Sequence, residues 1–137
     1  MPTGNESEEM VPVALQLGRH VASLEACHFG PETKDAVFRG VLDAIASAAA
    51  GLHQPGVVAA RRAAPLLCGL GGVPIWFSGA TASAGAAMFA NSTAAAALDL
   101  DDGNRMARGH PGPAVIPAAL ALVSAVPGAS VDEFIAA

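Results

Sequence analysis

The chain has 137 residues and a formal charge of −5, with 53% apolar side chains and 15 glycines against only 14% charged residues. That balance excludes intrinsic disorder. It also argues against a nucleic-acid surface, because the seven basic residues never form a block longer than Arg61-Arg62.

One domain is the expectation at this length. A domain of this size buries only about two-thirds of the surface its unfolded chain exposes. With so few charges, large apolar patches remain outside. The chain is therefore expected to be an obligate oligomer or part of something larger.

In chain order, Met1 to Glu9 is polar and acidic, reads as a disordered start, and has no signal-peptide pattern. Met10, Ala14, Leu17, Val21 and Leu24 recur at helical spacing and predict a helix over about residues 10–25. Pro12 fits its first turn. Gly30-Pro31 opens a second helix, with Glu32 and Asp35 where the dipole favours acids. Val37, Phe38, Val41, Leu42, Ile45 and Ala49 form its expected buried face, and Gly51 stops it. From Ile45 to Gly51 the side chains are small enough for another helix to pack very close. A third helical segment runs from Gln54 to Leu70, and Pro65 is expected to kink or end it.

Val73 to Phe77 is an extended piece at most. Residues 81–99 form a fourth, alanine-rich helix. The uncharged run from Ala80 to Leu98 has transmembrane length, but its only large apolar residues are Met88, Phe89 and Leu98. It makes a poor bilayer span. A loop from Asn104 to Gly112 leads to a fifth helix, about Pro113 to Val126, with Pro117 also assigned to its opening. Ser130 to Glu133 is a capping box that starts one more helix just before Ala137, which reads as the front part of a longer protein.

The fold class is all-α, a bundle of five helices plus a stub, with residues 10–137 as one partial helical domain. There is no internal repeat. Cys27 and Cys68 belong to no C-x-x-C pattern and read as reduced core thiols of a cytoplasmic protein.

Chemistry concentrates between helices four and five. Asp99, Asp101, Asp102, Arg105, Arg108 and His110 fall within twelve positions of an otherwise almost uncharged stretch. Burying such groups costs free energy unless they are paired or used. Asp99, assigned to the last turn of helix four, faces the negative dipole end, which suits a proton acceptor. His110 precedes the positive end of helix five, which favours the neutral ring as a donor or proton carrier. Arg105 and Arg108 are candidates for gripping substrate carboxylates.

Each role has a plainer rival. Asp101, Asp102 and Gly103 also read as a polar helix-ending turn, and the arginines as structural partners of the aspartates. A calcium loop fails on spacing, with Asn104 where glycine is required and His110 where glutamate is required. His20, His28 and His53 have no ligand spacing and read as surface or helix-end residues.

The same stretch resembles a known signature. Asn91 to Asp102, followed by His110-Pro111-Gly112 and Val115 to Leu120, looks like that of the MmgE/PrpD family; Val41 to Gly51 resembles its second-helix motif. That family includes 2-methylcitrate dehydratase, cis-aconitate decarboxylase and iminodisuccinate epimerase. The resemblance covers roughly residues 14–137 and implies a longer homodimeric enzyme with a large helical domain and a smaller lid domain. It implies no metal or cofactor, and a small polycarboxylate substrate. This chain would be the front of the helical domain, without the lid.

Residue by residue, the resemblance assigns the family's acidic site residue to Asp99 and its histidine to His110. In the decarboxylase branch a threonine follows the Asp-Asp pair. Here Gly103 stands in that place, within the substrate-binding loop. The loop Gly103 to Gly109 is more basic than in that branch and looks closer to epimerase-like members. The family's later lysine and histidine have no counterpart, since the one lysine, Lys34, lies far from the block.

Dehydration is the leading reaction, with epimerisation or decarboxylation as alternatives. A reading of another class is a non-enzymatic helical oligomerisation module. Geometry discriminates: a shared site needs Asp99 and His110 within about 10 Å and facing one cleft.

Overall fold

A computed structural model describes residues 11–106 and 108–136. The disordered start expected for Met1–Glu9, and Met10 at the head of the first stripe, lie outside the described residues. Helices α1 (Val13–Ala22), α2 (Pro31–Gly51), α3 (Pro55–Cys68), α4 (Ala84–Ala96), α5 (Gly112–Ala125) and α6 (Val131–Ala136) carry the fold, with a 3-10 turn at Ala26–His28. The described residues are mainly helical, with one small ribbon. There β1 (Val73–Pro74) pairs antiparallel with β2 (Thr81–Ala82), Val73 opposite Ala82 and Pro74 opposite Thr81.

Helix α4 is the axis of the bundle, packing against α2, α3 and α5. A helix that is apolar all round belongs inside, and Ala86, Ala87, Ala90, Asn91, Ala94 and Ala95 are all buried. Its small side chains let neighbouring backbones come close. A Cβ on Gly51 would lie 2.5 Å from the Ala94 carbonyl oxygen, so glycine is required where α2 crosses α4. The close approach expected of the second half of α2 is present.

The expected buried face of α2 is not. Ala44, Ser47, Ala48 and Gly51 are buried, whereas Phe38, Leu42 and Ala49 are exposed and Val37, Val41 and Ile45 are half-buried. Packing against an alanine helix selects the small stripe, because only that stripe allows the shortest separation. Helix α1 forms on its predicted apolar stripe, yet none of its residues is buried. Leu66, Leu67 and Leu70, at and just beyond the end of α3, are likewise exposed. Apolar surface is left outside, as the composition requires.

Several expected boundaries move. Residues 81–82 leave helix four for the ribbon, and Ser83 caps α4 by accepting the Ala86 N–H at 3.2 Å while donating to the Cys68 carbonyl at 2.7 Å. Pro65 does not end α3, which runs one more turn to Cys68 before Gly69 turns out at φ 91°. One missing N–H near a helix end is tolerated when so little helix follows. Pro117 lies inside α5 and is buried, beyond the opening turn assigned to it. Both cysteines are free thiols as expected, but exposed: Cys27 lies in the 3-10 turn and Cys68 ends α3. The capping box is formed, with Ser130 Oγ accepting the Glu133 N–H at 3.2 Å and the Glu133 carboxylate accepting the Ser130 N–H at 2.6 Å.

Candidate active site

Between α4 and α5 lies an open cleft of about 730 Å³. Met88, Phe89, Ala96, Pro113 and Ala114 give it apolar walls, and Ser92 and Thr93 add hydroxyls from α4. Thr93 is turned onto its own helix, donating to the Phe89 carbonyl at 2.7 Å. Asp99, Asp101 and His110 complete the lining and are the ionisable groups among its described residues.

The three converge because the chain turns sharply after α4. Asp99 is not in the last turn of that helix; it stands three residues beyond Ala96, at φ 56°. Aspartate tolerates this left-handed backbone better than most residues. The turn directs Asp99 to the cleft rim, with its side chain 87% exposed, and sends Asp101 inward, with 2% exposed. Asp101 Oδ2 lies 2.9 Å from His110 Nδ1, and Asp99 Oδ1 lies 3.6 Å from His110 Nε2. The imidazole is bracketed by two carboxylates, well inside the 10 Å criterion.

A carboxylate can only accept a hydrogen bond, so the ring nitrogen facing Asp101 carries the proton. In the neutral ring, Nε2 then presents its lone pair beside Asp99. Asp101 Oδ1 is buried without a hydrogen-bond partner among the described residues. A buried carboxylate oxygen left without a donor is costly unless its charge is compensated or used.

Asp101 is thus the residue that sequence reasoning passed over as part of a turn. No local pattern marks it, because which of the adjacent Asp101 and Asp102 faces the cleft is decided by the left-handed turn at Asp99. Asp102 does not line the cleft. Its Oδ1 accepts the Gly112 N–H at 2.8 Å, and its own N–H donates to Asp43 Oδ2 at 3.1 Å.

Arg105 and Arg108 lie exposed at the tip of a loop narrowed by the backbone pair Asn104–Gly109, and neither lines the cleft. Neither forms an ion pair with an aspartate among the described residues. Arg108 also has a left-handed backbone, at φ 51°. Gly103 sits beside the imidazole: a Cβ there would lie 4.0 Å from His110 Cε1.

Asp99, Asp101 and His110 hold ligand-type atoms within 4.8 Å of one another, as do Glu25, Cys27 and His28, a grouping not anticipated for His28. In the first, His110 Nδ1 is engaged by Asp101, which leaves His110 Nε2 and the Asp99 carboxylate facing the cleft. His28 Nδ1 accepts the Glu25 N–H at 3.0 Å on an exposed turn. Among the described residues, no helix is long and apolar enough to cross a membrane.

The family model of the MmgE/PrpD N-terminal domain matches residues 15–137. The chain belongs to the MmgE/PrpD family. No curated protein and no solved structure matches it significantly. Members of the MmgE/PrpD family are generally dehydratases and other lyases, and the helical fold agrees with the family's N-terminal domain.

Proposed function

We propose that this MmgE/PrpD protein is an enzyme that moves a proton at the carbon α to a carboxylate of a small di- or tricarboxylate. The observation that carries the reading is the His110 ring, tied by Nδ1 to buried Asp101 while Nε2 faces the cleft beside Asp99. In a neutral ring so held, Nε2 is a proton acceptor, and Asp99 would stabilise the imidazolium that forms.

In the dehydratase version His110 removes the α-proton and the β carbon–oxygen bond breaks. The imidazolium then returns its proton to the departing hydroxyl, releasing water. Protonation of the same carbon on its opposite face by a second donor, with His110 keeping the proton it removed until solvent takes it, would instead be epimerisation. Gly103 leaves the flank of His110 open where the decarboxylase branch carries a threonine, which favours the first two outcomes over decarboxylation.

Arg105 and Arg108, at the tip of the loop that carries His110, are assigned to substrate carboxylates approaching from outside the cleft wall. The enzyme is read as a cytoplasmic homodimer without a cofactor.

The test is to incubate the intact gene product with 2-methylcitrate, cis-aconitate and iminodisuccinate in D2O, following product and α-deuteration by NMR. Turnover or exchange of one of them, lost in His110→Ala, supports the reading. Failure of all three in a folded protein overturns it and favours the helical interaction module.

A further inference from the structure

His110 and Asp101 approach from opposite ends of a long loop, and something must hold those ends together. Flexible closure of such a loop is entropically costly. Two ties close it. The inner one is the backbone pair Asn104–Gly109, with N–H to carbonyl distances of 2.9 and 3.3 Å.

The outer tie is a relay of side chains. Asp43 on α2 accepts the Asp102 N–H, and Asp102 accepts the Gly112 N–H at the start of α5. Asp101 immediately precedes the first of these anchored residues, and His110 lies two before the second. The imidazole therefore sits between the inner and outer ties.

The outer tie is closely fitted. Pro111 at the head of α5 makes no side-chain cap, so the Gly112 N–H takes its partner from Asp102 across the loop. A Cβ on Gly112 would overlap the Asp102 carboxylate, so only glycine leaves room for it. Asp102 and Asp43 also bring negative charge towards the positive end of α5.

We propose that Asp43 is a positioning residue for the His110–Asp101 pair, acting through Asp102 and Gly112 and touching no reacting group. This rests on His110 being the proton carrier. Its main test, however, reads the ring itself and needs no substrate.

Nitrogen-15 shifts of the His110 ring in the intact protein report which nitrogen carries the proton. The Nδ1–H form should dominate in the wild type and in Asp43→Asn, whose amide oxygen still accepts the Asp102 N–H. In Asp43→Leu the ratio should invert towards the Nε2–H form that free imidazole favours, while His20 and His53 are unchanged. Where a substrate is turned over, kcat of Asp43→Leu should fall by ~10²-fold with KM nearly constant.

Gly112→Ala breaks the same relay from its other end without touching α2, and its ring should respond as in Asp43→Leu. Retention of the wild-type ring signature in either folded breaking variant overturns the proposal, as does inversion in Asp43→Asn. An intact signature in a wild-type protein that turns over none of the three substrates counts against the proposed activity alone.

Discussion

Asp101 and His110 are nine residues apart in the chain and joined by a 2.9 Å contact, carboxylate Oδ2 to ring Nδ1, on the buried side of the imidazole. The pairing sets which nitrogen faces the cleft, and so whether His110 first accepts or first donates a proton. That separates two roles for Asp101, one in chemistry and one in stability.

Asp101→Leu should separate them. Its carboxylate is buried with one oxygen unpartnered, so removing it relieves a desolvation cost while leaving one nitrogen of a half-exposed imidazole for water to serve. The variant should unfold in urea within about 1–2 kcal/mol of the wild type. Turnover should fall by about 10²–10⁴-fold, the usual contribution of a positioned acid–base group. Parallel loss of stability and activity would make Asp101 a structural residue.

Asn91 should behave in the opposite way. Nearly fully buried on α4, it accepts the Trp76 N–H at 2.9 Å and donates to the Pro74 carbonyl at 3.2 Å, latching the ribbon segment to the central helix. Asn91→Ala strands both backbone groups and leaves a cavity, so equilibrium denaturation should record a loss of about 2–4 kcal/mol. Asn91→Asp keeps the acceptor but sets a buried carboxylate against the Pro74 carbonyl, and should cost at least as much as Asn91→Ala.

The same substitution should change sign at two glycines. Gly51→Ala drives a methyl into the Ala94 carbonyl where α2 meets α4, and should cost about 1–3 kcal/mol. At exposed Gly56, in the first turn of α3, a Cβ meets nothing within 4 Å. Gly56→Ala should therefore stabilise by about 0.4–1 kcal/mol through the unfolded chain. Thermal unfolding of the two variants, measured together, checks both signs.

These contrasts also explain how much could be read from the sequence. Helical periodicity, the prolines at helix starts, the alanine-rich run of α4 and the Ser130–Glu133 box located the helices to within a few residues, since those signals are local. The buried face of α2 was misassigned because large apolar residues normally seek the core, and here an alanine partner selects Ala44, Ser47, Ala48 and Gly51 instead. The meeting of Asp99 and His110 was legible from their places at the two ends of one loop. Asp101 and Asp102 were not, because which of two adjacent aspartates turns inward depends on the left-handed turn at Asp99 and on the tie to Asp43.

Acid should loosen α6 in a defined direction. The Ser130 backbone N–H, and then its hydroxyl, hold the Glu133 carboxyl below its ordinary value. A group depressed on folding contributes stability that is fully present above its unfolded value and lost as pH falls through the lower, folded one. Amide exchange in α6 should therefore quicken, relative to the intrinsic rate, as pH falls through that window. Glu133→Ala should remove the pH dependence.

Asp99 allows its backbone and its carboxylate to be tested separately. At φ 56° it occupies a region that asparagine tolerates and alanine resists. Asp99→Asn should keep the turn, with stability within about 0.5 kcal/mol of the wild type, whereas Asp99→Ala should cost about 1–2 kcal/mol more. If the carboxylate beside Nε2 stabilises the charged ring, both variants should lose turnover by ~10²-fold despite their different stabilities. Full activity in Asp99→Asn would mean that the left-handed turn matters, by sending Asp101 inward, and that the negative charge at the cleft rim does not.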